Sequence, residues 1–124
     1  MKKDKIIFKQ ATKEYAENFY GDKPAKSFRG YVAILGDKVV GIGGVTVYNS
    51  NMMLFSEMKD EMRPFKRDIV KSIRILKEFI SNYKYPIMAI ASNTEPISEK
   101  ILTTMGFEKT SYTTLDGPVY RRGI

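Results

Sequence analysis

The sequence predicts a single mixed α/β domain whose central sheet is covered by helices on both faces, and three patterns carry that prediction. Ile69, Ile73, Leu76, Ile80 and Tyr83 recur at steps of three and four, with Val70 and Phe79 widening the stripe and Lys71, Arg74, Lys77 and Glu78 falling elsewhere. This is the spacing of a helix laid on a sheet. The stretches 51–58 and 86–91 read as apolar on both faces, as strands at the centre of a doubly covered sheet are. Finally, 31–35 and 39–48 flank a turn around Gly36, Asp37 and Lys38, the signature of a hairpin.

Taken in order, 5–9 forms a short first strand, β-branched and aromatic in its middle. Ala11, Tyr15 and Phe19, with Ala16 and Tyr20 beside them, keep helical spacing until Gly21 stops the first helix. Residues 21–30 hold turn formers and a proline without any period, so they form a loop or an irregular turn, placed to shape an acceptor site. Gly41, Gly43 and Gly44 interrupt the second hairpin strand; glycines there mark a bulge or the close approach of another backbone or of a ligand. After the strand at 51–58, a charged loop at 59–67 leads into the main helix, with Pro64 on the approach and Asp68 in the first turn, where a carboxylate complements the helix dipole. The stretch 93–106 opens on capping residues, has Pro96 near its first turn and stops at Gly106, so it is a helix whose apolar residues are Ile97, Ile101, Leu102 and Met105. A closing hairpin pairs 107–114 with 119–122 across Asp116 and Gly117. No repeat, linker or low-complexity segment interrupts the chain.

At 124 residues the chain has room for one core and not two, and its 43% hydrophobic and 28% charged content is that of a soluble globular protein. No apolar run approaches a membrane span, and the basic start carries too short an apolar part for a secretory signal, so the expected location is the cytoplasm and no membrane partner is expected. Zero cysteines and zero histidines remove disulfides, thiol nucleophiles, zinc–thiolate sites and the commonest metal ligand and general base. No metal is expected, and any catalysis must use carboxylates, tyrosine, lysine, backbone dipoles or water to position a cosubstrate that carries the reactive group. The charge of +7 favours anionic partners without choosing among them. The cations are densest at Lys2, Lys3, Lys5 and Lys9 and along Arg63, Lys66, Arg67, Lys71, Arg74 and Lys77. No nucleic-acid motif is present and most aromatics lie on predicted core faces, which ranks nucleic acid low among partners.

The order of elements, with Met105-Gly106-Phe107 joining the last helix to the last hairpin and the small Ser98 eight positions before the glycine, resembles the GNAT superfamily of acetyl-CoA-dependent N-acetyltransferases over nearly the whole chain. A second motif agrees. The family's cofactor loop, P-x-x-[QR]-x-x-G-x-[GA] and then an apolar pair, is matched by Pro64, Arg67, Ser72 and Ile75-Leu76, with Val70 where the glycine stands. The resemblance implies a central, mostly antiparallel mixed sheet and acetyl-CoA as cosubstrate. The backbone from Met58 through Asp60 to Met62 would lie beside the pantetheine, and 63–72, with Lys66, Arg67, Asp68, Val70, Lys71 and Ser72, would lie at the pyrophosphate.

By the same resemblance Glu57 stands where some members recruit a base, with Asp60 and Glu61 as alternatives, and Asn93 and Ser98 are the cofactor contacts on the last helix. Leu102 occupies the position at which a tyrosine often serves as acid. The acceptor implied is a primary amine, on a protein or peptide because the flanking segments are short, and both monomer and homodimer remain open. A second reading is an inactive GNAT-like module that binds a protein partner. The small size also resembles GNAT-like proteins of bacteriophages, some of them virion or host-interaction proteins.

Overall fold

A computed structural model describes residues 5–21, 27–48, 50–91 and 97–123. Among these the elements follow the predicted order: β1 (Ile6–Gln10), α1 (Lys13–Tyr20), β2 (Phe28–Leu35), β3 (Lys38–Tyr48), β4 (Asn51–Met58), a 3₁₀ turn (Asp60–Met62), α2 (Lys66–Ser81), β5 (Ile87–Ile90), α3 (Ser98–Thr104), β6 (Glu108–Thr114) and β7 (Gly117–Arg122). The strands form one sheet in the order β1-β2-β3-β4-β5-β7-β6. Every neighbouring pair is antiparallel except β4 and β5, which are parallel. The mixed, mostly antiparallel sheet is as the resemblance implied.

Alternation along the strands assigns the two faces. Met52 and Leu54 of β4 pack with Leu76 and Ile80 of α2 and with Leu102 and Met105 of α3, whereas Phe55 packs with Ala16 and Phe19 of α1 and with Ile42 of β3. A third cluster seats Met62 against Ile6, Ala33 and Val40, with Phe65 and Ile69 of the α2 entry beside it. Helices therefore cover both faces. β4 is nonetheless less buried than its composition suggested: Leu54 is its one buried residue, and Met52, Met53, Phe55 and Met58 are half-buried.

Local chemistry moves several boundaries. Thr12 caps α1, its hydroxyl accepting from the Tyr15 N–H at 3.2 Å, so the helix starts at Lys13 instead of Ala11. β2 begins at Phe28 because Gly30 lies across from Gly44, and a Cβ on either would collide with the backbone of the other strand. The strand glycines thus serve packing. A Cβ at Gly41 would lie 2.7 Å from Met62 Sδ, and one at Gly43 would lie 2.9 Å from Leu76 Cδ1. Of the readings open for these glycines, the close approach of another backbone is the one seen at Gly44. Residues 22–26 of the expected loop and 93–96 of the expected last helix, Asn93 included, lie outside the described residues. Met105 closes α3, Gly106 turns at φ 94°, and the Phe107 N–H returns to the Leu102 carbonyl at 2.9 Å. Among the described residues no helix is long and apolar enough to cross a membrane.

Candidate active site

β4 and β5 are neighbours for two residue pairs only, Met52 with Ile87 and Met53 with Met88. β4 then runs on to Met58, and on its other edge it stays paired with β3 throughout, up to Met58 opposite Gly41. From Leu54 to Met58 the edge turned towards β5 has no ladder partner among the described residues, and the two parallel strands part like the arms of a V. Backbone N–H and C=O groups left on a strand edge seek partners. A split of this kind suits an extended ligand that carries amides of its own.

The mouth of the V is fixed by the connection to α2. The Lys59 N–H donates to the Val40 carbonyl at 2.8 Å, tying the end of β4 to β3, and Met62 is 3% exposed, its side chain anchored in the core. The Phe65 N–H donates to the Met62 carbonyl at 2.9 Å, and the Ile69 N–H donates to the Phe65 carbonyl at 3.0 Å, the first bond of the α2 ladder. No side chain caps this helix. Helix geometry therefore leaves the N–H groups of Lys66, Arg67 and Asp68 without intrahelical acceptors, at the positive end of the dipole. Lys66, Arg67 and Lys71 stand exposed around them, Lys71 with its ammonium 5.6 Å from the centre of the Phe8 ring. This is an anion-binding geometry.

The helix begins earlier than the apolar stripe suggested, which narrows the expected cradle. Val70, Lys71 and Ser72 sit in the second turn, so their N–H groups are spent inside the helix. The Ser72 hydroxyl donates to the Ile69 carbonyl at 2.6 Å. Val70 is 52% exposed on the solvent side and closes off no backbone approach there. The first turn alone offers donors. Met58 is half-buried in the same cluster as Met62, so these two residues turn side chains inward and present backbone to the split.

Of the three candidate carboxylates, the structure engages two elsewhere. Glu61 is hydrogen-bonded to the Lys38 ammonium, which holds its carboxyl below the usual carboxylate range, and Asp60 accepts from Arg63 Nε at 3.0 Å. Glu57 differs. It shares the face of Phe55 by strand alternation, so it points towards α1, where the Tyr20 hydroxyl donates to its Oε2 at 2.5 Å. Burial first, and then the bond to Glu57 and its charge, push the Tyr20 hydroxyl well above the ordinary tyrosine range, so Tyr20 remains the donor. The residue is half-buried and its carboxylate partner exposed. Sequence reasoning read Tyr20 only as part of an apolar stripe.

The α3 side is differently made. Leu102 is 6% exposed and packs in the core cluster with Leu76 and Ile80, so no acid is offered at that position. Ser98 is half-buried at the first residue of α3, while Glu99 accepts from the Tyr120 hydroxyl at 3.1 Å. Two clefts, of about 490 Å³ against Phe8, Tyr31 and Phe79 and about 340 Å³ against Tyr15 and Asn18, lie away from the split and include none of the residues from Leu54 to Ser72. No group of residues suited to holding a metal ion occurs among the described residues.

The seven-stranded mixed sheet with helices on both faces matches the fold of solved GNAT acetyltransferases. The chain matches the aminoglycoside acetyltransferase AAC(6')-Ib in complex with coenzyme A at a TM-score of 0.60 and 16% identity, over 96% of this chain and 95% of that one. It matches an acetyltransferase of the GNAT family from Staphylococcus aureus Mu50 at 0.57 and 17% identity, over 95% and 98%. PH1933 from Pyrococcus horikoshii OT3 matches at 0.60 and 17% identity over 77% of this chain, which spans 64% of that one. No protein-family model and no curated protein matches the sequence. At these identities the likeness establishes the fold.

Proposed function

We propose that this protein is an N-acetyltransferase that moves the acetyl group of acetyl-CoA to a primary amine on a protein or peptide. The observation that carries the reading is the parting of β4 from β5 beyond Met53, with the free N–H groups of Lys66, Arg67 and Asp68 at its mouth. The unpaired edge from Leu54 to Met58 offers donors and acceptors to the amides of a pantetheine arm, and the first turn of α2 offers positive charge and N–H groups to its pyrophosphate. Lys66, Arg67 and Lys71 add cations at the same place. The positive charge and free N–H groups at this place support the reading.

Acetyl-CoA supplies an acetyl thioester. The acceptor arrives as an ammonium and must lose a proton before its lone pair can attack, and Glu57, exposed beside the split, takes that proton directly or through water. The amine nitrogen then bonds to the carbonyl carbon while a backbone N–H of the β4 edge polarises the oxygen. As the carbon–sulfur bond breaks, the sulfur leaves with the bonding pair and the second proton of the nitrogen is lost to the departing thiolate or to water. With Leu102 buried, no side chain of α3 is needed for that proton. The acceptor approaches from the α1 side, where Glu57 faces; this open approach favours an amine carried on a chain over an enclosed metabolite.

Leu102 also favours a second reading, an inactive GNAT-like module in which packing has replaced the acid. Calorimetric titration with acetyl-CoA and with coenzyme A, followed by an assay of coenzyme A release with amine-bearing peptides, separates the two. Micromolar binding, about −8 kcal/mol, with turnover is the expected result. Binding without turnover favours the module, and no binding at millimolar ligand removes both.

A further inference from the structure

We propose that Tyr20 is a positioning residue for Glu57: its hydroxyl occupies Oε2 and so presents Oε1 alone, in one orientation, to the proton that leaves the acceptor amine. The inference rests on the acetyltransferase reading above and goes beyond it, because α1 then contributes to the site that β4 and α2 form. A glutamate at an exposed strand end has three side-chain torsions to fix, and an unfixed base spends much of its time out of reach of the amine. The bond of 2.5 Å from Tyr20 removes that freedom.

The support for Tyr20 is itself rigid. The last turn of α1 is tied to β3 by Asn18, whose Oδ1 accepts from the Val39 N–H at 2.9 Å and whose Nδ2 donates to the Asp37 carbonyl at 3.3 Å. Phe19 is 8% exposed, and its ring meets that of Tyr20 edge to face with centroids 5.0 Å apart. The Lys59 ammonium, two residues beyond Glu57, lies 5.1 Å from the centre of the same Phe19 ring. Helix end, tyrosine and strand end thus form one unit. The raised proton affinity of the Tyr20 hydroxyl agrees with this role, since the phenol keeps its proton and continues to donate while Glu57 gains and loses one.

A purely structural tie between α1 and β4 would look the same in a static structure, so the test must separate the two. Coenzyme A release from acetyl-CoA is followed with peptides bearing free N-terminal or lysine amines and with small polyamines, for the wild type, Tyr20→Phe, Glu57→Gln and the double variant, with melting temperatures for all four. Tyr20→Phe keeps the ring and its packing and is expected to lower kcat about tenfold, a typical cost of losing one hydrogen bond to a charged group, with KM for acetyl-CoA unchanged. In the Glu57→Gln background the same change is expected to cost nothing further, because Tyr20 acts through Glu57. An equal loss in both backgrounds, or a loss that follows the melting temperature, overturns the positioning role, as does wild-type kcat in Tyr20→Phe. If the wild type binds acetyl-CoA but turns over none of these amines, the acetyltransferase reading fails and takes the positioning role with it.

Discussion

The two arms of the V differ in what their side chains are for. On the β4 arm the backbone edge from Leu54 to Met58 has no ladder partner among the described residues, the first turn of α2 is uncapped, and Glu57 is held by a tyrosine from another element. On the β5 arm Leu102 and Met105 are buried and the Glu99 carboxylate is taken by Tyr120. One arm leaves polar groups free and the other uses its residues to close the core. Unmade backbone bonds are costly unless something else completes them, which is the reason for proposing the ligand surface on the first arm.

The contrast can be broken most severely from the packed arm. Leu102→Ala is expected to cost about 3 kcal/mol of stability, as buried leucine truncations do, with acetyl-CoA affinity per folded molecule unchanged; chemical denaturation and calorimetry check the two halves. Leu102→Tyr is expected to destabilise by overpacking and to leave kcat no higher. On the open arm Glu57→Gln should lower kcat about 100-fold with little change in melting temperature, the usual scale for loss of a general base. Arg67→Ala should weaken acetyl-CoA binding about tenfold, or 1.4 kcal/mol, with less effect at high salt.

The smallest effect belongs to the ion pair behind the turn. Lys38 depresses the Glu61 carboxyl below its unfolded value of 4.5, so the pair stabilises the fold above about pH 4.5 and loses that contribution as pH falls through the lower folded value. Both partners are about half exposed, so solvent screening keeps the contribution small. Lys38→Ala should therefore shift the melting temperature slightly at pH 7, and the shift should shrink as pH falls below 4.5 towards the lower folded value of Glu61.

Much of the β4 arm was legible in the sequence, because it is local. Asn51–Met58 reads as a strand, Ile69 to Ile80 as a helix, and the charged stretch between them as the connection. The start of α2 was not legible: Lys66 and Arg67 add nothing to an apolar stripe, and Phe65 at the N-cap has no side-chain oxygen with which to announce a helix. The parting of β4 from β5 left no trace either, since two apolar parallel strands read alike whether they stay paired for two residues or six. Gly30 disguised the start of β2, because a glycine near Gly21 and Pro24 signals a loop unless its cross-strand partner, Gly44, is known. The Tyr20–Glu57 bond joins residues 37 apart on different elements, and only the choice of tyrosine over phenylalanine at a half-buried helix end hints at it.

The central claim is that the open arm, and not the packed arm or the cleft beside Phe8 and Tyr31, receives the cofactor. Amide chemical shifts of ¹⁵N-labelled protein, followed as coenzyme A is added to saturation, test it most directly. Binding as described moves the amides of Lys66, Arg67 and Asp68 together with those from Leu54 to Met58, while Phe8, Tyr31 and Phe79 stay where they were. Saturation with those eight amides unmoved, or with the changes gathered around the Phe8 cleft, would contradict it.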